Sequence, residues 1–276
     1  MQKPQEIIAS RQNALIVRLC KLADRKQRVR EGAFRFDGKK LFLEALCKGL
    51  PLEAVLLRAS NADGIVAAAD AFSLPAGCRA VLLPDALFDR ISEENAPDGV
   101  ICICRRLDKI HKIVTINKGD AFSAPVTGRT LFLESIRDPG NLGTVIRSAR
   151  AFGVDTLVMS ADCADIYHPR TLRAAMGTLF SQRVLIVDDL AGAVRAYRAA
   201  GGRVLAATLR PDALRLGEFS PKAGDAALVG NEGHGLTDAL IAAASECVFI
   251  PMESGVESLN AGIAASVLLW EFYRGR

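Results

Sequence analysis

The sequence predicts an α/β protein whose main part is a mostly parallel sheet, preceded by a smaller α/β domain. The length of 276 residues suits two domains, because single domains cluster at roughly 100 to 200 residues. Short apolar runs alternate along the chain with helix-length amphipathic segments. From Arg129 onward the runs are apolar on both faces, as in parallel strands that are covered by helices on both sides.

The first predicted domain covers residues 1–106. Its strands are aliphatic or aromatic, and a Gly or Pro stands at most of its element boundaries. In chain order the predicted elements are AFRF, KKLFLEALCKG, PLEAVLLR, NADGIVAAADAF, CRAVLLP, DALFDRISEEN and GVICICRR. The periodicity is lost over residues 107–128, which we interpret as a linker.

The second predicted domain covers residues 129–276 and has longer units. In chain order they are RTLFLES, NLGTVIRSARAFG, DTLVMS, RTLRAAMGTLF, RVLIVDD, LAGAVRAYRAAGG, RVLAATL, DAALVGNEG, LTDALIAAASE, CVFIPM and LNAGIAASVLLWEFYR. Ligands of such sheets bind in the loops beyond the carboxyl ends of the strands. The loops after RTLFLES, AALVG and CVFIP are therefore the predicted binding site.

Basic residues are concentrated near one end of the chain. Residues 11–40 hold ten Lys or Arg against three acids, whereas the net charge of the whole chain is only +4. Clustered positive charge favours a polyanionic partner such as nucleic acid, and a solvated helix face is the alternative. The predicted phosphate contacts are Arg18, Lys21, Arg25, Lys26, Arg28, Arg30, Arg35, Lys39 and Lys40.

The composition disfavours several other classes of protein. No run approaches the roughly 18 uncharged apolar residues of a membrane helix, and the first residues lack the pattern of a secretory signal. The seven cysteines are scattered and form no C-x-x-C pair, which indicates reduced thiols and no zinc site. The three histidines are too far apart in sequence to suggest a metal set. We expect a soluble cytoplasmic protein with neither a metal nor a membrane partner.

Three polar loops follow predicted strands: ESIRDPGNLGTVIRSA, GNEGHGL and IPMESGVESLNAG. Their glycines permit positive φ angles and a close approach of the backbone to a ligand. One such loop is ordinary turn chemistry, but three at the same edge of one sheet indicate a binding site. The sequence has no G-x-G-x-x-G fingerprint at these loops, no P-loop and no G-x-S-x-G elbow. Hydride transfer, phosphate cleavage and serine hydrolysis are therefore disfavoured.

The three loops resemble the three motifs of a known enzyme family. DPGNLGTVIRSARAFGVD, with Asn141, Gly143 and Arg147 at N-x-G-x-x-x-R spacing, is similar to the first motif of the SpoU (TrmH-type) RNA ribose methyltransferases of the SPOUT class. LVGNEGHGL resembles their second motif and IPMESGVESLNAGIAAS their third, in the family's order. RLCKLADRKQRVREGAFRFDGKKLFLEAL and ENAPDGVICICRR are similar to the RNA-binding α/β domain that many SpoU enzymes carry before the catalytic domain.

The resemblance implies a fold and a cofactor that periodicity does not predict. In this class the chain end is threaded through a loop to form a trefoil knot, and S-adenosylmethionine binds in a bent conformation within the knot. The residues that the resemblance places around the cofactor are Leu228, Gly230, Ile250, Met252, Leu259 and Asn260.

The resemblance also implies the catalytic residues, which are Arg147, Asn141, Glu232, Ser258 and Asn260. Arg147 is implied as the activating residue, although a guanidinium stays protonated near neutral pH and is a poor base. Help from a nearby RNA phosphate and stabilisation of the forming alkoxide both remain open. We expect Asn141 to position the ribose or Arg147, or to cap its helix. We expect Glu232 to hold Arg147 or the backbone of the neighbouring loop.

The function that we expect is S-adenosylmethionine-dependent 2′-O-ribose methylation of RNA, with ribosomal RNA favoured over transfer RNA. A non-catalytic RNA-binding or ribosome-assembly factor that keeps the scaffold is the alternative. A SPOUT enzyme that methylates a base nitrogen is disfavoured by the N-x-G-x-x-x-R segment. The resemblance further implies a homodimer. The apolar final helix suits a subunit interface, and core packing explains it equally well.

Overall fold

The computed structural model describes residues 3–110, 113–120, 122, 128–222, 224–256 and 258–274. The chain divides into two compact units. The first consists of the described residues of Met1–Ile110 and of Tyr167–Ser181, and the second consists of those of His111–Ile166 and Gln182–Arg276. No helix among the described residues is both long and apolar enough to cross a bilayer.

The first unit is a four-stranded mixed sheet with helices. Its strands are β1 (Ala33–Asp37), β2 (Leu52–Arg58), β3 (Arg79–Leu83) and β4 (Val100–Arg105), in the order β1-β4-β2-β3. Strand β4 is antiparallel to both β1 and β2, whereas β2 and β3 are parallel. Its helices are α1 (Ala14–Lys21), α2 (Arg25–Glu31), α3 (Lys39–Cys47), α4 (Ala62–Ala68), α5 (Asp85–Ile91) and α7 (Pro169–Ala175).

The second unit contains an eight-stranded sheet. Its strands are β5 (Ile113–Ile116), β6 (Thr130–Leu133), β7 (Thr156–Ser160), β8 (Arg183–Val187), β9 (Arg203–Ala207), β10 (Leu214–Arg215), β11 (Asp225–Val229) and β12 (Glu246–Phe249). The order is β10-β12-β9-β11-β6-β7-β8-β5, and every neighbouring pair is parallel. The helices are α6 (Pro139–Ala151), α8 (Leu190–Ala199), α9 (Asp238–Ala243) and α10 (Ala261–Arg274).

The predicted fold class is confirmed: a large parallel sheet follows a smaller α/β unit. Strand β6 is buried at every position, and so is its neighbour β11. In the core beneath them, Phe132 packs edge-to-face on Tyr197 with ring centroids 5.5 Å apart. Burial on both faces explains why these strands read as continuous apolar runs.

The compact units divide the chain differently from the predicted boundaries in two places. Residues 107–128, interpreted as a linker, contain β5, which pairs with β8 at one end of the large sheet. The segment Tyr167–Ser181 lies in the second predicted domain but belongs to the first compact unit. There Tyr167 packs on Phe34 with ring centroids 4.8 Å apart, and Phe180 packs on Phe36 at 5.5 Å. Local periodicity contains no information about such distant partners, which explains both differences.

The segment RTLRAAMGTLF, predicted as a single helical unit, is interrupted. Helix α7 ends at Ala175, and a 3₁₀ turn follows at Thr178–Ser181. Between them Met176 and Gly177 adopt positive φ angles of 52° and 84°. The left-handed backbone at Met176, at the helix C-cap, ends the α-helix.

Candidate active site

The three polar loops lie at one edge of the large sheet. They follow β6, β11 and β12, and because the sheet is parallel, the carboxyl ends of these strands share that edge. Strand β11 lies directly between β6 and β9, although β7 and β8 follow β6 in the chain. The strand order therefore reverses beside β6, and a crevice at such a point is where ligands of parallel sheets bind.

The loop after β6 leads directly into α6. Asp138 is the N-cap of α6, and its carboxylate accepts a hydrogen bond from the main-chain N–H of Asn141 at 2.8 Å. Pro139 occupies the first helical position, where its missing N–H is not needed. The interpretation of Asn141 as a helix cap is therefore wrong, because Asp138 already fills that position and leaves the Asn141 amide available for other partners.

One hydrogen-bonded path joins the three loops. The amide Nδ2 of Asn260 donates to Oδ1 of Asn141 at 2.8 Å, and Nδ2 of Asn141 donates to Oε1 of Glu232 at 3.0 Å. Glu232 also accepts from the main-chain N–H groups of Arg137 at 3.3 Å and Asp138 at 3.4 Å. Of the two roles expected for Glu232, the structure therefore has it holding the backbone of the neighbouring loop.

The pKa of Glu232 is lowered from its ordinary value. Partial burial acts to raise the pKa, but hydrogen bonds from the Asn141 amide and from the backbone N–H groups outweigh it, because they favour the charged carboxylate. Glu232 is therefore ionised at neutral pH. It is suited to fixing donors in place and not to acting as an acid.

Arg147 lies on α6 and is exposed. Within the part of the chain that the structure describes, its guanidinium makes no hydrogen bond or ion pair, so neither Glu232 nor Asn141 holds it. The expected contacts of Arg147 with those two residues are absent from this structure. An exposed cation without a described partner is available to bind an anion.

The loop after β11 folds tightly on itself. Asn231 and Gly235 form two main-chain hydrogen bonds across it, at 3.0 and 3.1 Å. A Cβ on Gly230 would lie 2.4 Å from the carbonyl carbon of Gly235, so only glycine allows the backbone to pass there. The structure thus explains Gly230 by the close approach of two backbone segments within its own loop.

A cavity of about 270 Å³ lies beside this junction. Three of the residues predicted to surround the cofactor line it, together with Ser258 from the predicted catalytic set: they are Ile250, Met252 and Leu259. The rest of the lining was not predicted and comprises Ala207, Thr208, Leu209, Gly235, Val248, Phe249 and Ala264. Apolar atoms dominate this wall, as is usual for a small-molecule site.

Three other predicted cofactor residues lie outside this lining. The Leu228 side chain is fully buried in the core of the second unit, so a contact of Leu228 with the cofactor stays a prediction for its backbone alone. Gly230 lies in the tight loop described above, and Asn260 belongs to the hydrogen-bonded path.

The cavity offers main-chain donors. The N–H groups of Ile250, Met252 and Leu259 make no hydrogen bond to any described residue. Donors without partners at an apolar wall fit a ligand with heteroatoms at the edge of a flat ring, such as the adenine of S-adenosylmethionine.

Sequence reasoning missed two residues that shape the site. Glu134, which is 8% exposed, accepts hydrogen bonds from the main-chain N–H and the hydroxyl of Thr237, both at 2.8 Å. Asn231 donates to the carbonyl oxygen of Ser135 at 2.7 Å. Both residues tie the loop after β6 to the loop after β11. Their position at or just after the carboxyl end of a predicted strand was the available signal.

The predicted phosphate contacts of the first unit include buried, half-buried and exposed residues. Arg28 is 2% exposed and donates to the carbonyl oxygens of Leu22 and Ala23 at 2.8 and 2.7 Å. Arg35 is equally buried and pairs with Asp37 at 2.7 Å. The predictions for Arg28 and Arg35 are wrong, because buried guanidinium groups that are engaged by the protein cannot reach a phosphate.

Arg18 is half-buried and bridges Glu31 and Glu53 at 2.8 and 2.6 Å. The exposed members are Lys21, Arg25, Lys26, Arg30 and Lys40, with Lys39 half-buried.

All seven cysteines are free thiols. Burial raises the pKa of the Cys102 thiol and also that of Cys163. Among the described residues, no group of three or more His, Cys, Asp or Glu could hold a metal ion.

Comparisons with known proteins bear on both units. Residues 128–270 match the model of the SpoU rRNA Methylase family, and residues 13–102 match the MRM3-like substrate binding domain. The chain is 28% identical to the 23S rRNA (guanosine(2553)-2′-O)-methyltransferase RlmP of Bacillus subtilis, over 95% of this chain and 97% of the relative. It is 30% identical to the 23S rRNA (uridine(2479)-2′-O)-methyltransferase of Streptomyces viridochromogenes, over 92% and 87%.

A solved structure gives the same picture. The crystal structure of the SpoU methyltransferase AviRb from Streptomyces viridochromogenes, in complex with the cofactor AdoMet, superposes with a TM-score of 0.78 at 26% identity. The alignment covers 95% of this chain and 98% of that chain. The likeness therefore extends over both compact units and is not confined to the large sheet.

Proposed function

Because the chain belongs to the SpoU rRNA methylase family, we propose that it transfers a methyl group from S-adenosylmethionine to a ribose 2′-oxygen of ribosomal RNA. The observation that carries this proposal is the junction of three loops through Asn260, Asn141 and Glu232, next to an apolar cavity with unpaired main-chain donors. Ribosomal RNA is the substrate that the names of the two relatives state, and each name specifies the 2′-oxygen.

S-adenosylmethionine supplies an electrophilic methyl group on a cationic sulfur. The chain's own contribution begins with the cavity. In our proposal Ile250, Met252 and Leu259 would hold the adenosine part of the cofactor, and the apolar wall would exclude water. Attack by an oxygen that carries negative charge neutralises the charge on sulfur, so a site with little water favours the transition state over the separated charges.

Arg147 acts on the RNA side of the site. Its guanidinium is exposed and free of described protein partners, so it is available to the ribose oxygen or to a neighbouring phosphate. As a permanent cation it stabilises the alkoxide that forms as the 2′-hydroxyl loses its proton, and it orients the nucleotide. The proton leaves to a phosphate oxygen of the RNA or to water, since neither Arg147 nor the ionised Glu232 is suited to retain it.

The hydrogen-bonded path acts as the frame of the site. Glu232 accepts hydrogen bonds from the main-chain N–H groups of Arg137 and Asp138 and from the side-chain amide of Asn141. Asn141 also accepts a hydrogen bond from the side-chain amide of Asn260, which directly precedes α10. Asn260 in turn caps α10 by accepting from Gly262 N–H at 2.9 Å. Ser258, on the cavity wall, supplies a hydroxyl close to where the ribose would enter. These residues position the reacting groups in our proposal, and Arg147 carries the electrostatic role.

The first unit binds the RNA in our proposal. Its residues match a substrate-binding domain, and five of the cations predicted to contact phosphate are exposed and have no described acidic partner. They are Lys21, Arg25, Lys26, Arg30 and Lys40. Four of the five lie on α1 and α2 and Lys40 lies on α3, and a cluster of exposed cations suits the charged backbone of RNA.

We also propose that the protein acts in the cytoplasm as a homodimer through α6 and α10. Three large apolar side chains of α10 are exposed: Ile263 at 53%, Trp270 at 50% and Tyr273 at 38%. They recur at helical spacing on one face, and Phe152 at the end of α6 extends the aromatic surface, with ring centroids 5.9 Å from Trp270. Exposed apolar surface of this kind suits a second copy of the chain. A monomeric mass by light scattering at micromolar concentration contradicts this assignment.

The proposed activity is tested with purified protein, tritiated S-adenosylmethionine and ribosomal RNA from cells that lack the gene. We expect label in the RNA, at a single nucleotide that resists alkaline hydrolysis on its 3′ side because its 2′-oxygen is methylated. Nucleoside digestion and mass spectrometry should place the methyl group on the ribose. Label on a base contradicts the proposed chemistry. The absence of both label and cofactor binding favours a non-catalytic assembly factor.

A further inference from the structure

Arg137 lies in the loop between β6 and α6, at the centre of the three-loop junction. Its main-chain N–H donates to Oε2 of Glu232 at 3.3 Å, next to the bond from Asp138. The backbone of Arg137 is thus held by the same carboxylate that receives Asn141. The path of hydrogen bonds described above does not use its side chain.

The guanidinium of Arg137 is held on one side only. Its Nη2 donates to Oδ2 of Asp162 at 2.6 Å, and the Arg137 side chain remains 62% exposed. No described residue accepts from Nε or Nη1. An arginine has five N–H donors in a planar fork that matches the oxygens of a phosphate. Most of that fork is unused here.

Two serine hydroxyls hold the carboxylate of Asp162 in place. It accepts from the hydroxyl of Ser135 at 2.5 Å and from that of Ser160 at 2.6 Å. Ser160 also accepts from the main-chain N–H of Ser135 at 2.9 Å. Burial acts to raise the pKa of Asp162, but these hydroxyl bonds and Arg137 outweigh it and the pKa is lowered. The carboxylate is therefore charged at neutral pH, and it holds the guanidinium in one orientation.

Stability alone does not account for this arrangement. Exposed ion pairs contribute at most about 1 kcal/mol, and many contribute nothing measurable. Yet two serine hydroxyls hold the carboxylate that orients Arg137, at the edge where the proposed ribose enters. The Arg137 guanidinium is fixed in orientation and most of its N–H donors are unpaired, so it is suited to binding an anion from outside the protein.

We propose that Arg137 binds a phosphate of the substrate RNA beside the target ribose, and that Asp162 is a positioning residue that orients it. This inference rests on the proposed RNA methyltransferase activity and deepens it, since it assigns a contact to the RNA backbone. In this arrangement Arg147 acts on the reacting oxygen, and Arg137 fixes the position of the RNA strand relative to the site.

The variants Arg137→Ala and Arg137→Lys test the contact, and Arg215→Ala is the matched control. Arg215 lies in the same compact unit, is similarly exposed at 55%, and also has one acidic partner, Glu218, at 3.3 Å. Kinetics use the full-length protein, ribosomal RNA from cells that lack the gene and tritiated S-adenosylmethionine. Binding of the same RNA is followed as a function of salt, and binding of S-adenosylmethionine is followed by calorimetry.

We expect Arg137→Ala to raise the KM for RNA about tenfold, the usual effect of losing one charge-assisted contact. The slope of log affinity against log salt should fall by about 0.7 to 0.9. Arg137→Lys should keep the salt slope and lose part of the affinity, because it keeps the charge without the fork. Cofactor affinity should stay unchanged in all three variants.

Asp162→Asn tests the positioning role. It should raise the KM for RNA less than Arg137→Ala does, and the double variant should be no worse than Arg137→Ala alone. Additive effects contradict the idea that Asp162 acts through Arg137. If Arg137→Ala matches Arg215→Ala in both KM and salt slope, the phosphate contact is refuted. Failure of the wild-type protein to label any RNA instead refutes the proposed function, and the salt slope of RNA binding still reports on Arg137.

Discussion

The Asn141→Asp variant tests the junction of the three loops with a single change of charge. The side chain keeps its shape and keeps Oδ1, the acceptor of the Asn260 amide at 2.8 Å. Only the donor to Glu232 is lost, and a carboxylate oxygen takes its place about 3.0 Å from Oε1. The change therefore isolates the bond between the first loop and the second.

The expected loss of stability has two parts. A hydrogen bond to a charged group is worth about 1.5 to 3 kcal/mol when buried, and we take about 1 kcal/mol because Glu232 is exposed. Two charges at this distance repel by about 1.4 kcal/mol in a medium with the dielectric constant of water. We therefore expect the free energy of unfolding to fall by about 2 kcal/mol at pH 7.5.

The two proteins should also respond to pH in opposite directions. In the wild type the pKa of Glu232 is lowered on folding, so its stabilising effect is present above the pKa of the unfolded chain and is lost as pH falls through the folded pKa. In the variant two carboxylates share the site, and at least one of their pKa values is raised on folding. The variant should therefore regain stability relative to the wild type between pH 7.5 and pH 5.

Urea unfolding followed by tryptophan fluorescence measures both effects. Trp270 is the only tryptophan, and it lies on α10, in the same unit as the junction. The double variant Asn141→Asp with Glu232→Gln restores a donor opposite the new carboxylate and should recover most of the loss. Equal unfolding midpoints for wild type and Asn141→Asp at pH 7.5, or a gap that widens towards pH 5, refute the reasoning.

Four further predictions concern three single substitutions and one group of cations. Arg147→Ala should lower methyl transfer by about a hundredfold or more while calorimetry shows nearly unchanged S-adenosylmethionine affinity; loss of both means that Arg147 is structural. Gly230→Ala should abolish cofactor binding, because its Cβ would meet the backbone of Gly235, whereas Gly233→Ala, with its closest contact at 3.4 Å, should bind normally in the same titration. Tyr167→Phe should lower the free energy of unfolding by about 1 to 3 kcal/mol, measured by denaturation followed by circular dichroism, because the buried N–H of Leu107 loses its acceptor at 2.7 Å; an unchanged midpoint contradicts this. Neutralising four exposed cations together should reduce the slope of log RNA affinity against log salt by about 3. The four are Lys21, Arg25, Lys26 and Arg30. An unchanged slope would show that this surface does not bind RNA.

Periodicity and composition predicted the architecture of this protein because burial on a strand or helix face leaves a local pattern. The apolar runs RTLFL and DAALV became β6 and β11, which lie side by side and are buried throughout. The polar loops were recognisable as a site because three of them follow predicted strands at the same edge of one sheet. Membership of the SpoU family then followed from motifs whose spacing is local as well.

The tertiary structure decided which of these residues meet. Asn141 lies 91 residues from Glu232 and 119 residues from Asn260, and no local pattern specifies that their side chains share one path. Likewise Arg28 and Lys26 look alike in a basic segment, yet one is buried against carbonyl oxygens and the other is exposed. Local sequence determines which face of an element is apolar. Which distant groups then satisfy its polar atoms depends on the sheet order, because only packing brings those groups within hydrogen-bonding distance.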